Sequence, residues 1–207
     1  MRTMSFRIPL AISTLLVAGT LSAQTAQIRQ GNKAFDRLAY HDAIGHYERA
    51  AEEGAVDSTF VLRLAQSSLL VRDFARAEKW YARGVMLPQA QAKDIYDYAQ
   101  VLRANGKYAE ADTWLQRYEQ RATGDSRAQR QSGSTTYATR LRDQTIPGCV
   151  VKDLNMNSAF SDMGAAITKG GVVFASARRP DVAESRRHTW NGQPFLDLYF
   201  ATPGTDG

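Results

Sequence analysis

A spacing of 34 residues constrains this chain more than any other feature of it. Ala43, Ala77 and Ala111 share one position of that period, Tyr47, Tyr81 and Leu115 a second, and Tyr40, Phe74 and Tyr108 a third. A period of this length marks supersecondary units that bury a continuous core only by stacking on one another. In the same register Gly31, Ala65 and Ala99 form a small-residue position, and Ala50 and Gly84 another, from which Tyr118 departs. Small residues let antiparallel helices cross closely, so Gly31 is matched with Ala43, Ala65 with Ala77 and Ala99 with Ala111, while aromatics fill the space between units. The pattern predicts first helices over Thr25–Arg37, Ser58–Val71 and Ala92–Ala104. Second helices are expected over His41–Glu53, Phe74–Met86 and Tyr108–Arg121, the middle one closed by Pro88. Asp57 or Ser58 is the expected N-cap of the second unit. Gly54 and Asn105-Gly106 fall between helices, where positive φ is needed.

The period and its slots resemble those of tetratricopeptide repeats, which implies an α-solenoid with a groove for protein partners. In this register Asn32, Gln66 and Gln100 follow the small residue of each first helix. On the concave face they form an amide ladder suited to the backbone of an extended peptide, and they equally fit solvated helix positions. A charge clamp for a peptide C-terminus is rejected: Lys93 and Asn32 occupy suitable slots, but Asp97 stands where a cation is wanted.

The start of the chain bears on its compartment. Residues 1–7 carry Arg2 and Arg7 and no acid, and the apolar stretch Ile8 to Leu21 that follows is the length of a secretory h-region, short of the roughly 20 residues of a spanning helix. Cleavage after Ala23 is expected, Ala26 being the second choice, with no transmembrane helix left in the mature chain. No cysteine follows the h-region, which excludes a lipoprotein anchor. The net charge of +5 falls with the leader to 24 basic against 21 acidic residues. These are spread along the chain, so the basic stripe of a nucleic-acid binder is missing. The single Cys149 excludes an intramolecular disulfide and a Cys-based zinc site.

Beyond residue 121 the repeat stops. The run 123–136 is polar and rich in Gly, Ser and Thr, and predicts two short capping helices, from Asp125 or Ser126 to Gln131 and from Thr135 or Thr136 to Gln144. After Pro147-Gly148 the pattern turns to strands: Val150-Val151 with Leu154, Ala165–Thr168, Val172–Ala177 and Phe195–Ala201. Gly170-Gly171 reads as a two-residue hairpin and Asn191-Gly192 as a second turn. Asp162 reads as a turn-capping side chain rather than a metal ligand or catalytic acid.

The segments Asn157-Ser158…Ser161-Asp162-Met163-Gly164, Val172 to Arg178, and Trp190-Asn191-Gly192-Gln193-Pro194-Phe195-Leu196-Asp197-Leu198-Tyr199 resemble the first WD-like β-propeller repeat of OmpA-family envelope proteins. There, tetratricopeptide repeats precede the propeller and a peptidoglycan-binding OmpA-like domain usually follows. Members similar to this chain include a peptidoglycan-associated component of the type IX secretion machinery. The resemblance implies an α + β organisation: a signal peptide (1–23), three repeats (24–121), a polar capping linker (122–146) and the first, incomplete propeller blade (147–207). A propeller needs four to eight blades to close, so the chain reads as truncated. The implied partners are envelope proteins at the repeat groove, with peptidoglycan contacted only through a domain missing from this chain.

Candidate chemistry is sparse. His41 and His46 are five apart, where two ligands on one helical face need three or four, and His188 has no acid or Cys at ligand spacing. GxSxG, P-loop and dinucleotide glycine motifs are absent, and no cofactor is implied. Trp80 and Trp114 share a repeat position and read as packing residues. Trp190 lies in a basic insertion with Arg178, Arg179, Arg186 and Arg187, read as a solvated loop or a surface for an anionic envelope partner. The expected function is that of a non-enzymatic scaffold at the periplasm or the periplasmic side of the outer membrane, with Asn32, Gln66 and Gln100 as its partner-binding residues. The alternatives are a periplasmic peptide-binding repeat protein and a propeller hydrolase using Asp162 and Asp197.

Overall fold

The structure, a computed structural model, describes residues 25–54, 59–131, 134–144, 148, 150, 152–179, 181, 183 and 186–204. The leader, the cleavage site after Ala23, the Asp57 or Ser58 cap, Cys149 and Val151 lie outside the described residues. Helix α1 covers 25–36, and is followed by α2 (Tyr40–Glu52), α3 (Thr59–Leu70), α4 (Phe74–Gly84), α5 (Ala92–Ala104) and α6 (Tyr108–Arg121). Two short helices, α7 (Ser126–Gln131) and α8 (Ser134–Asp143), precede a sheet of β1 (Asp162–Thr168), β2 (Gly171–Ser176) and β3 (Asp197–Ala201).

The 34-residue period is written into the backbone as well as the core. At the end of each first helix, Leu38, Arg72 and Gly106 take positive φ (62°, 66° and 77°). The amide one residue later donates back to a helix carbonyl: Ala39 to Ala34 at 2.9 Å, Asp73 to Ser68 at 2.9 Å, and Lys107 to Leu102 at 2.8 Å. This left-handed residue followed by a six-to-one bond is a Schellman closure, which satisfies carbonyls that a helix end leaves unpaired. Asp73 then caps α4, its Oδ1 accepting from the Arg76 amide at 3.0 Å.

Ala43, Ala77 and Ala111 are fully buried, as are Tyr47 and Tyr81, with Leu115 beside them in the same position. Stacking of Tyr47 on Phe60 (6.1 Å between ring centroids) and of Tyr81 on Tyr98 (6.3 Å) links successive helical pairs. The small residues serve neighbours of specific shape. A Cβ on Gly31 would lie 2.5 Å from the Tyr47 ring, and one on Gly84 2.5 Å from Leu62. Gly31 therefore makes room for the aromatic rather than for the matched alanine alone. Tyr118, the departure from the small position, is buried because the stack ends there: its ring lies 5.2 Å from Tyr96, and its hydroxyl donates to Asp125 at 2.6 Å, at the start of the cap.

The sheet is antiparallel, in the order β1-β2-β3. Thr168 pairs with Gly171, so the hairpin turns at Lys169-Gly170 rather than at Gly170-Gly171. The register bulges between Met163 and Ala166. The expected strand at Val150 and Leu154 does not form among the described residues, and both side chains are exposed. Met163, Leu198 and Phe200 stand exposed on one face of the sheet. On the other face Phe174 stacks on Tyr199 at 5.9 Å, under the Arg178 guanidinium.

One loop joins sheet to repeats. Trp190 packs edge-on against Tyr40 (4.7 Å between centroids), its Nε1 donates to the Leu70 carbonyl at 3.0 Å, and its own carbonyl accepts from the His41 amide at 3.2 Å. The loop approaches so closely that a Cβ on Gly192 would lie 2.6 Å from the His41 ring. Trp190 is thus an internal fastening, contrary to its reading as a solvated or partner-facing side chain. The Leu70 carbonyl is one of those orphaned at the end of α3, and the indole supplies the donor it lacks.

Candidate partner-binding face

The first helices of the repeats meet on one face. Arg63 of α3 donates through NH1 to Asn32 Oδ1 (3.3 Å) and Asp36 Oδ1 (3.1 Å) of α1, and its guanidinium lies 4.9 Å from the Phe35 ring centroid. Asn32 Oδ1 also accepts from the Tyr47 hydroxyl at 2.7 Å. Burial pushes that phenol up to about 12, so it stays a neutral donor across the physiological range. Asn32 is therefore a bracket between α1, α2 and α3.

At the other end of the face, Gln100 Nε2 donates to Gln131 Oε1 at 2.6 Å, and Gln131 Nε2 donates to the Tyr96 hydroxyl at 3.0 Å. Helix α7 thereby covers the Gln100 end, held by Arg127, which donates to Asp125 (2.7 Å) and to the Tyr118 hydroxyl (2.6 Å) and lies over the Tyr96 ring. The Arg127 guanidinium and the Tyr118 hydroxyl hold the Asp125 carboxyl well below the usual carboxylate range. Lys93 is paired with Asp97, which also accepts from the Tyr81 hydroxyl at 3.3 Å. Burial, and secondarily Asp97, drives the Tyr81 phenol far upward.

Between the two ends sits Gln66 of α3, half-buried, its side chain making no hydrogen bond among the described residues. Of the three amides singled out from spacing, Asn32 and Gln100 are engaged within the fold, and Gln66 alone presents an open donor and acceptor. Arg63, Tyr96 and Gln131 belong to the same face and went unnoticed in the sequence. Arg63 lies three positions before Gln66 on α3, but its neighbours Asp36 and Phe35 lie in another helix, and spacing does not reveal them.

The face offers hydrogen bonding and aromatic contact. Among the described residues, no group of three or more His, Cys, Asp or Glu side chains is placed to hold a metal, and no helix is long and apolar enough to cross a membrane. Asp162 is a structural clip. Its Oδ2 accepts from the Ser158 amide (2.8 Å) and hydroxyl (3.0 Å), and its Oδ1 from Ser176 Oγ (2.5 Å) and Arg178 NH2 (3.0 Å). These donors, Ser176 foremost, lower its pKa strongly. Asp197 meets Arg179 at 3.3 Å. Trp80 is buried between Lys79 and Arg83, and Trp114 stands edge-on to Tyr98 under Arg117.

Antiparallel helix pairs at a 34-residue period, closed alike and stacked through one core, form a helical-repeat fold resembling the tetratricopeptide type, here joined to a small antiparallel sheet. No family model matches the chain, and no curated protein matches it. Among solved structures it is similar to the crystal structure of yeast Tom70, with 21% identity and a TM-score of 0.49 over 57% of this chain and 25% of that one. The chain thus spans about a quarter of the length of the structure it matches.

Proposed function

We propose that this chain is a non-enzymatic scaffold whose helical repeats hold a protein partner on the face built by α1, α3 and α5. The observation that carries the reading is the state of Gln66: an amide with open hydrogen-bonding capacity, set between Arg63 on one side and the Tyr96–Gln100–Gln131 cluster on the other. An extended partner main chain offers the complementary donors and acceptors, and the aromatic and guanidinium surfaces beside it supply contact area.

The compartment follows from the leader-like residues 1–23: an exported protein of the periplasm or of the periplasmic side of the outer membrane. The resemblance of the C-terminal third to the OmpA-family propeller repeat supports an envelope scaffold attached to, or feeding, a secretion assembly. The Asp162 clip speaks against the propeller-hydrolase alternative, because a carboxyl saturated by four donors and held ionised is ill-suited to proton transfer. Asp162→Asn and Asp197→Asn variants abolishing a measurable hydrolysis would reverse that judgement.

The test is affinity capture of the tagged chain from its own cells, wild type beside Gln66→Arg. The reading expects a defined partner with the wild type and its loss with Gln66→Arg, which places a charged, longer side chain in the face without touching the core. Equal capture by both would contradict it.

A further inference from the structure

A second cleft lies apart from that face, between α1 and α2, with a cavity of about 590 Å³. Lys33 of α1, Arg37 in the turn after it, His41 and Arg49 of α2, and Thr189 from the loop that Trp190 fastens down all line it. Asp42 is the single acid among its lining residues. Lys33, Arg37 and Arg49 form no ion pair among the described residues, although cations elsewhere are paired, as Arg63 is with Asp36 and Lys107 with Glu78. Arg49 is instead positioned by neutral groups: its NH2 lies 2.9 Å from His46 Nδ1 and its Nε 3.4 Å from Gln27 Oε1. Burial and the neighbouring Arg49 keep His46 below its ordinary pKa, so it orients the guanidinium without adding charge.

Gly45 of α2 also lines the cleft. A glycine inside a helix costs stability relative to alanine. Gly31 and Gly84 offset that cost with close contacts that a Cβ would destroy. Gly45 has no such contact: the nearest atom to a Cβ there is Arg49 NH1, at 4.0 Å. A side chain at Gly45 would therefore extend from the lining of the cleft without displacing a packed neighbour.

We propose that this cleft is a binding site for an extended acidic segment of a partner chain, separate from the face at Gln66. The shape favours an extended segment over a compact anion. From His41 to Arg49 the lining follows α2 for roughly 12 Å at 1.5 Å per residue, with Lys33 and Arg37 beside it. That run matches about four residues of extended chain at 3.3 Å each. The cationic side chains stand exposed along an open trough, whereas sites for small molecules bury most of the ligand. Lys33, Arg37 and Arg49 complement the charge of such a segment, and Thr189 and Gln30 supply donors to its main chain.

The experiment is fluorescence anisotropy of labelled hexaglutamate with the full chain, at low and high salt. Binding is expected, weakening with salt. Arg37→Gln/Arg49→Gln is expected to weaken it by about tenfold, the combined scale of two exposed charge contacts. Lys152→Gln/Lys169→Gln, which removes the same charge from exposed positions elsewhere, should leave it within about twofold. Gly45→Leu should block binding while circular dichroism shows an intact helical fold. Absence of binding, equal loss in the two double variants, full binding by Gly45→Leu, or displacement by an equal concentration of inorganic tripolyphosphate would each overturn the proposal. Gln66→Arg is expected to leave hexaglutamate binding unchanged, which separates this site from the partner-binding face.

Discussion

The indole Nε1 of Trp190 donates to the main-chain carbonyl of Leu70 at 3.0 Å across 120 residues of sequence, and through this bond the sheet is fastened to the end of α3. Replacing Trp190 with Phe keeps an aromatic ring against Tyr40 and removes the donor, so a loss of about 1 kcal/mol is expected in denaturant unfolding. Trp190→Ala removes both. It should also release the His41 amide, whose acceptor is the Trp190 carbonyl, and hydrogen exchange at His41 is expected to accelerate in Trp190→Ala.

The Schellman closures make an opposite prediction. Leu38 and Arg72 hold positive φ where the third repeat uses Gly106, a conformation that costs an L-residue on the order of 1 kcal/mol. Arg72→Gly, and independently Leu38→Gly, should each raise stability by up to about that amount, less the entropy glycine adds to the unfolded chain. Matched denaturation curves check this, and a clear loss in both variants would contradict the closure geometry.

Two helical glycines should respond with opposite signs. Gly31→Ala drives a methyl into the Tyr47 ring and is expected to destabilise by about 1–3 kcal/mol, the usual cost of overpacking. Gly45→Ala meets no obstruction and should stabilise by up to about 1 kcal/mol through helix propensity. Thermal unfolding of the two variants side by side provides the comparison.

Acid and alkali act on different groups of the fold. Asp162 has a lowered pKa in the folded chain, so its contribution is present above the unfolded value of about 3.9 and is lost as pH falls below it. Tyr47 has a raised pKa, so its contribution is present below about 10 and is lost as pH climbs towards about 12. Acid should therefore loosen the Ser158–Asp162–Ser176–Arg178 clip, and alkali the bracket at Asn32. Residue-resolved NMR through both ranges is the measurement, and Asp162→Asn should flatten the acid response of the sheet.

The repeats were legible because their information is local and periodic. Apolar and small positions recur every 34 residues, and the predicted helices lie within a few residues of those observed. Gly54 and Gly106 take the positive φ expected between helices. The same period placed Asn32, Gln66 and Gln100 but not their state, because Tyr47, Arg63 and Gln131 reach two of them from other helices. Trp190 escaped for the same reason: its partners Tyr40 and Leu70 are distant in sequence, and a tryptophan among arginines looks like a surface loop. Val150-Val151-Leu154 has strand composition, yet among the described residues Val150 and Leu154 pair with no strand. The Gly170-Gly171 signal located the hairpin but not its register, which follows from the pairing of Thr168 with Gly171.

The central claim, that the α1, α3 and α5 face receives a protein partner, is tested most directly by photo-crosslinking in the cells that make the protein, with benzoylphenylalanine placed at Gln66 and, as the reference, at Lys152. A discrete higher-mass adduct from position 66 and none from position 152 is the predicted result. Equal crosslinking from both positions, or none from position 66 with the protein folded and present in the cell, would contradict the account.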